Sequence, residues 1–281
     1  MKVYSKILEL QEHVSLLKSE GKTIGFVPTM GALHYGHISL VESAIHQCDV
    51  TIVSIFVNPT QFNNPEDLLK YPRTLDADTA LLAPINCDII FAPSVEEMYP
   101  NNYVSTKVDL GNLANLMEGK FRPGHFDGVV DVVSRLFNII KPDKAFFGLK
   151  DFQQVSVIRF MTKILNLPIE IIACPTLREA SGLAMSSRNL RLNEKQKEEA
   201  LIIYKTLSFA KELAFQFQPF EVKEKAIEFF KTGSLEIEYF EIVNPDTLES
   251  LDGEWVDGAT ACIVAYCGEV RLIDNLKLVE L

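Results

Sequence analysis

The chain has 281 residues, 47% of them hydrophobic and 23% charged, with a formal net charge of -11. That balance suits one large or two moderate globular domains with real cores, and the missing basic footprint excludes a nucleic-acid binder. An acidic protein that takes an anionic ligand has to gather its few cations at the site, so the position of each Arg and Lys near a motif carries weight.

In chain order, Ser5 is placed to cap a first helix with Ile7, Leu8, Val14 and Leu17 facing inward. A short apolar strand over residues 23–27 ends at Pro28. The glycine-rich loop after it leads into a helix with Leu40, Val41, Ala44 and Ile45 on one side. Residues 49–57 are nearly all apolar, the pattern of a parallel strand covered on both faces, and a polar loop follows over 58–65. A helix over 74–83, a third strand over 88–91, an irregular stretch over 98–128 and a helix over 128–140 come next. A fourth strand (144–148), a helix (152–165) and a fifth strand (169–173) complete the series. This alternation predicts an α/β fold, a doubly wound, Rossmann-like parallel sheet over residues 1–175. Beyond Pro175 the pattern changes. A loop to Arg188 precedes helices near 194–217 and 220–231 and strands near 235–243, 259–266 and 270–273. Ile237, Tyr239 and Glu241 alternate with Glu238, Phe240 and Ile242. Residues 176–281 therefore read as a smaller α+β domain with an antiparallel sheet.

The five cysteines, Cys48, Cys87, Cys174, Cys262 and Cys267, are odd in number and contain no CxxC pair. They read as small core residues in a reducing, cytoplasmic setting rather than as a disulfide framework or zinc site. No apolar run is long enough to span a bilayer, so no membrane partner is expected, and the first residues are not those of a signal peptide.

The chemistry-bearing residues cluster after strands, where open α/β sheets bind ligands. After the first strand come Met30, Gly31, Ala32, Leu33, His34, Tyr35, Gly36 and His37. A helix N-terminus there offers backbone N–H groups and partial positive charge to a phosphate, and the imidazoles add donors. The same stretch also fits a tight turn with two surface histidines. After the second strand come Asn58 and Gln61, and after the fourth Gly148, Leu149, Lys150 and Asp151, then Gln153 and Gln154. Asp151 can cap the next helix, and Lys150 is either a phosphate-seeking point charge or a solvated loop lysine. The Gln amides suit a substrate with hydroxyls and a carboxylate, or are plain surface polarity. After the fifth strand come Leu177 and Arg178, then Met185, Ser186, Ser187 and Arg188, which either close over a triphosphate or cap a helix. Residues 118–126, with Arg122 and His125, read as a flap or a tight turn. There is no GxxxxGK[ST], no GxGxxG after the first strand and no GxSxG, which argues against a P-loop, a dinucleotide cofactor and acyl-enzyme chemistry.

Seven blocks in order resemble the pantoate–β-alanine ligase family over essentially the whole length: residues 28–37, 56–62, 71–75, 122–128, 147–154, 182–189 and 272–275. Alone, HxGH is shared with the wider nucleotidylyltransferase group; seven ordered blocks are very specific. The resemblance implies ATP-dependent condensation of (R)-pantoate with β-alanine through a pantoyl adenylate, with Mg²⁺ accompanying ATP. It also implies a cytoplasmic homodimer with the smaller domain as a lid; no metal-ligating residues are assigned. Carried over by position, it assigns ATP to Met30–His37, Gly148–Asp151, Leu177 and Met185–Arg188. Pantoate and later β-alanine go to Gln61, and pantoate also to Gln154. His37 takes the proton-donor role, supported by His34 and Lys150; at a helix N-terminus it would donate as neutral imidazole. Three positions depart from the family pattern: Tyr35, Leu149 and Ser181, where Glu, Glu or Gln, and Asp are usual. The first two put ATP affinity in question, the third any salt bridge made there. A nucleotidylyltransferase acting on a phosphate would ask for more Arg and Lys in place of Gln61 and Gln154, and a non-catalytic nucleotide sensor need not retain His34, His37, Lys150 and Arg188.

Overall fold

The computed structural model describes residues 1–62 and 65–281. Asn63 and Asn64, in the polar loop expected over 58–65, lie outside them. The elements run β1 (Lys2–Tyr4), α1 (Ile7–Ser19), β2 (Ile24–Thr29), α2 (Tyr35–Gln47), β3 (Val50–Ile55), α3 (Pro65–Lys70), α4 (Leu75–Leu82), β4 (Ile89–Phe91), α5 (Val95–Met98), α6 (Met117–Phe121), α7 (His125–Ile140), β5 (Lys144–Gly148), α8 (Phe152–Ile164) and β6 (Glu170–Cys174). There follow α9 (Glu194–Leu213), α10 (Pro219–Phe230), β7 (Glu236–Val243), β8 (Thr260–Cys267) and β9 (Val270–Lys277). By internal contacts the chain forms two compact units. One is Met1–Gly148 with Val157–Cys174, the other Leu149–Ser156 with Pro175–Leu281.

The first unit is built on a six-stranded parallel sheet in the order β1-β4-β3-β2-β5-β6. Its strands are apolar without alternation because both faces are covered: Val50–Val53 of β3 are all buried. Val27, Val53, Ile90 and Phe146 pack with Ile38, Val41 and Ala44 of α2. On the neighbouring residues, Phe26 and Phe147 meet Phe137 of α7 edge-on, at 6.2 and 6.4 Å between ring centroids. One residue's step along a strand changes the face it serves. The chain turns back on itself between β2 and β5: β2, β3 and β4 progress to one side, β5 and β6 to the other. The turn after β2 thus starts at the topological switch point of the sheet, where such folds seat ligands.

Several expectations need correction here. Strand β2 does not stop at Pro28; Pro28 pairs in register with Ser54 of β3. The ladder to β5 extends only over Gly25 and Phe26, so the missing N–H of Pro28 leaves no gap in it. Ser5 does not cap α1: Lys6 holds that position without a side-chain bond, and Leu8 is exposed while Leu10 is buried. The first strand, β1, is an addition to the expected series: its three residues carry no readable period. The stretch over 98–128 contains α6 and the first turn of α7.

In the second unit, the antiparallel sheet β7-β8-β9 packs against α9 and α10. Phe240, Ile242, Ala261, Ile263 and Ala265 join Ile203, Leu207, Val222 and Ala226 in its core. A register shift between Ile237 and Tyr239 bulges β7 at Glu238, whose carboxylate takes Tyr266 and Arg271. All five cysteines are free thiols, four of them buried, and burial pushes the Cys87 thiol up to about 12.

A close backbone approach beside the candidate site is at Gly128, on α7. A Cβ there would stand 2.6 Å from the Thr60 carbonyl oxygen and 2.8 Å from the Gln61 Cα. Gly128→Ala is expected to lower unfolding free energy by about 1–3 kcal/mol, read as a shifted urea midpoint; an unchanged midpoint would show that the 60–61 turn yields freely.

Candidate active site

The turn after β2 is closed by its own side chains. Gly31 has φ +79° and Ala32 φ +50°, the left-handed conformations that reverse the chain in two residues. That reversal aims the Ala32 and Leu33 N–H groups at the Asp78 carboxylate of α4, at 3.1 and 2.7 Å. Asp78 is 1% exposed, and the Thr74 hydroxyl donates to it as well. Residue by residue, Asp78 looks like one more acid on a polar helix, and only the fold shows which donors it faces.

His34 is the N-cap of α2, and His37 is the third residue of the helix. The Gly36 N–H donates to His34 Nδ1 at 3.1 Å, and the His34 N–H donates to His37 Nδ1 at 3.3 Å. This is a capping box made from two imidazoles, their ring centroids 4.1 Å apart. An imidazole that accepts at Nδ1 carries its proton on Nε2, so the geometry assigns both rings the Nε2–H tautomer. The backbone therefore serves the ligand less than the sequence suggested. The N–H groups of Ala32, Leu33, His34 and Gly36 are all engaged within the protein.

Gln61 is oriented by a relay. Tyr99 donates to Asn58 Oδ1 at 2.8 Å, and Asn58 Nδ2 donates to the Gly128 carbonyl at 3.1 Å, which sets which way round the buried Asn58 amide lies. Burial holds the Tyr99 phenol above its usual range, so it remains a donor. Asn58 Nδ2 also meets Gln61 Oε1 at 3.1 Å, leaving Gln61 Nε2 beside the Met30 sulfur at 3.1 Å. The donor end of Gln61 and the first residue of the histidine turn are thus in contact. His125 Nδ1 donates to the Gln61 carbonyl at 2.9 Å, with Arg122 on the other ring nitrogen at 3.2 Å. The stretch 118–126 is neither open flap nor plain turn: its end braces Gln61.

The remaining expected residues belong to the second unit, apart from Gly148, which ends β5. Residues 177–185 form a short hairpin: Arg178 bridges to Ala184, and the Met185 N–H donates to the Leu177 carbonyl at 3.0 Å. Ser186 caps a 3-10 turn over Ser187–Arg191 by accepting the Arg188 N–H. Lys150, Ser186, Arg188 and Asp274 line one crevice. Arg178, a cation after the fifth strand, is committed to structure: it forks onto Asp274 at 2.6 and 3.0 Å. Burial pushes the Asp274 carboxyl above the usual carboxylate range, and Arg178 opposes that rise. Gln153 is buried; Gln154 is half-buried on the first turn of α8. Tyr35 is exposed at the first position of α2, Leu149 acts through its carbonyl, and Ser181 is exposed in the hairpin tip.

A doubly wound sheet with a histidine-capped helix at its switch point is the frame of a nucleotide-binding α/β enzyme. Comparison with known proteins narrows this. The chain belongs to the pantoate-beta-alanine ligase family, whose pattern matches residues 2–277. It is 50% identical over 281 residues to a pantothenate synthetase of Porphyromonas gingivalis, covering 99% of each chain. A crystal structure of pantothenate synthetase from Thermus thermophilus superposes with a TM-score of 0.93 at 41% identity over 99% of each chain. The Francisella tularensis pantoate-beta-alanine ligase, solved in complex with beta-gamma ATP and beta-alanine, gives 0.79 at 38% identity, over 99% of this chain and 97% of that one.

An Asp78→Asn substitution removes one of the two acceptors that the histidine turn uses. Amide exchange at Ala32 and Leu33 is expected to accelerate by about tenfold or more, the scale of a lost hydrogen bond to a charged group. Exchange as slow as in the wild type would show that the turn holds without Asp78.

Proposed function

We infer that the chain catalyses the ATP-dependent condensation of pantoate with β-alanine to pantothenate, releasing AMP and pyrophosphate. Family membership over residues 2–277 carries this reading. In the first half-reaction an oxygen of the pantoate carboxylate attacks the α-phosphorus of ATP, the bond to the bridging oxygen breaks, and pyrophosphate leaves with pantoyl adenylate formed. In the second, the β-alanine amine attacks the acyl carbon; the amide bond forms, AMP leaves, and the amine loses its proton.

The assignment of residues follows from their donors. We assign the Nε2–H groups of His34 and His37 to the ATP phosphates, with His37 the principal donor where charge develops as the leaving oxygen departs. Met30–His37, Gly148–Asp151, Leu177 and Met185–Arg188 are assigned to ATP, with Lys150 and Arg188 supplying formal positive charge. Gln61 and Gln154 are assigned to pantoate, and Gln61 then to β-alanine. The Gln61 amide is set with its oxygen toward Asn58, so its nitrogen is the end that would donate to a substrate oxygen. Among the described residues no group of three His, Cys, Asp or Glu could hold a metal ion. Mg²⁺ is assigned to the triphosphate from the family resemblance, entering as MgATP, and no step is routed through it. Among the described residues no helix is long and apolar enough to cross a membrane. A cytoplasmic homodimer is our reading for location and assembly, supported by the five free thiols for the first and the family resemblance for the second.

Incubation with ATP, Mg²⁺, pantoate and β-alanine should yield pantothenate and AMP in equal amounts; folded protein that forms neither would overturn the assignment. His37→Asn separates the two nitrogens of the ring. The new side chain keeps an acceptor for the His34 N–H but lacks the outer donor. Adenylation is expected to slow by about 10²–10³, the scale of one lost transition-state donor, with an unchanged Tm. Wild-type rates would remove His37 from the chemistry.

A further inference from the structure

The turn that carries Lys150 is held by a side chain 125 residues away in sequence. Asn275 Nδ2 on β9 donates one hydrogen to the Leu149 carbonyl at 2.8 Å and the other to the Lys150 carbonyl at 2.9 Å. Residues Leu149–Asp151 make a single 3-10 turn that runs directly into α8, and a 3-10 turn has poorer hydrogen-bond geometry of its own. A primary amide suits the task because both its hydrogens lie in one plane on one nitrogen, and a fork of two donors meets two successive carbonyls.

Asn275 is itself fixed on both sides. Its N–H donates to Asp274 Oδ1 at 2.8 Å, and its carbonyl accepts from Arg178 Nη2 at 3.1 Å. Arg178 also forks onto both Asp274 oxygens and lies over the Tyr204 ring, 4.2 Å from its centroid. Asp274 is 5% exposed and Asn275 9%. A buried, fully bonded cluster of this kind has one arrangement, since breaking any contact strands a charge or a polar group.

We propose that Asn275 is a positioning residue for Lys150, holding the turn from which that lysine reaches the ATP phosphates, with Arg178 and Asp274 holding Asn275. The proposal rests on the assignment of Lys150 to ATP. A lysine has a flexible four-carbon stem, so only the placement of its Cα can be fixed in advance, and two hydrogen bonds to the carbonyls at and before Lys150 fix it. The crevice also lies beside a carboxylate, Asp274. The Arg178 fork balances that charge, so the anion meets Lys150 and Arg188 rather than an uncompensated acid.

The test is a double-mutant cycle on the full-length protein, reading KM for ATP, KM for pantoate and kcat in wild type, Asn275→Ala, Lys150→Ala and the double variant. Asn275→Ala is expected to raise KM for ATP by about tenfold and leave KM for pantoate within about twofold of wild type. In the Lys150→Ala background, the same change is expected to add nothing beyond about twofold. Asn275→Ser, which retains a single donor, should fall between wild type and Asn275→Ala; it replaces Ala in the cycle if the alanine variant does not fold. Additive losses in the double variant, or an equal rise in both KM values, would overturn the positioning role while leaving Lys150 on ATP. A Lys150→Ala enzyme with wild-type KM for ATP and kcat would instead overturn the assignment of Lys150, and the proposal with it.

Discussion

A helix cannot begin without disposing of its first N–H groups, and the start of α2 disposes of them through two imidazoles. The reciprocal cap between His34 and His37 does two things at once. It satisfies backbone donors that would otherwise seek water or a ligand, and it occupies the Nδ1 lone pair of each ring, which forces the ring proton onto Nε2. Neither ring needs to be charged to act as a donor. The fold enforces the tautomer through the helix cap, so the outward donors of both rings and the start of the helix depend on the same two bonds. Asp78 completes the arrangement by taking the next pair of N–H groups upstream, so the turn has little freedom to rearrange around a ligand.

The second unit solves a different problem. The chain carries a net charge of -11, and the crevice proposed for the phosphates has to be protected from that excess. Arg178 is committed to neutralising Asp274, while Lys150 and Arg188 line the crevice. Guanidinium and ammonium are used according to their geometry. The planar fork of Arg178 locks onto a carboxylate, two carbonyls and an aromatic face, whereas the flexible ammonium of Lys150 suits the role proposed for it, following a ligand whose shape changes during reaction.

Much of this was legible in the residues. The buried strands announce themselves by unbroken apolarity, and β5 falls on the expected residues 144–148 because Lys144 and Gly148 bracket a run that can only be interior. The candidate ligands were legible because they are unusual residues at strand ends. What stayed hidden were the groups that hold those ligands. Asp78, Asn275 and the Arg178–Asp274 pair act across 45, 126 and 96 residues of sequence, and no local period reports such a distance. Pro28 misled for the opposite reason: its effect on a strand depends on which neighbour the missing N–H would face, and strand order is not a local property. Likewise Ser5 has the right side chain for a cap, but the helix begins two residues on, and Lys6 takes the position because the Ile7 N–H finds the Glu97 carboxylate at 2.9 Å.

The donors proposed for the substrates differ in electrical character, and the proposed reaction makes use of the difference. In the first unit the assigned groups are neutral: two Nε2–H imidazoles and the Gln61 amide. The formal charges, Lys150 and Arg188, belong to the second. In adenylation the pantoate carboxylate is the nucleophile, and its reactivity lies in its negative charge. A guanidinium clamped on it would orient it well but would draw off the electron density that has to reach phosphorus. A neutral amide orients without that loss, and the Tyr99–Asn58–Gln61 relay fixes the amide with its nitrogen free of the Asn58 contact. The triphosphate has the reverse requirement: its charge grows on the leaving pyrophosphate as the bond breaks, so cations stabilise the transition state more than the ground state. In the proposed assignment amides meet the acid and cations the phosphates, the division that favours attack over mere binding and that asks few positive groups of an acidic protein.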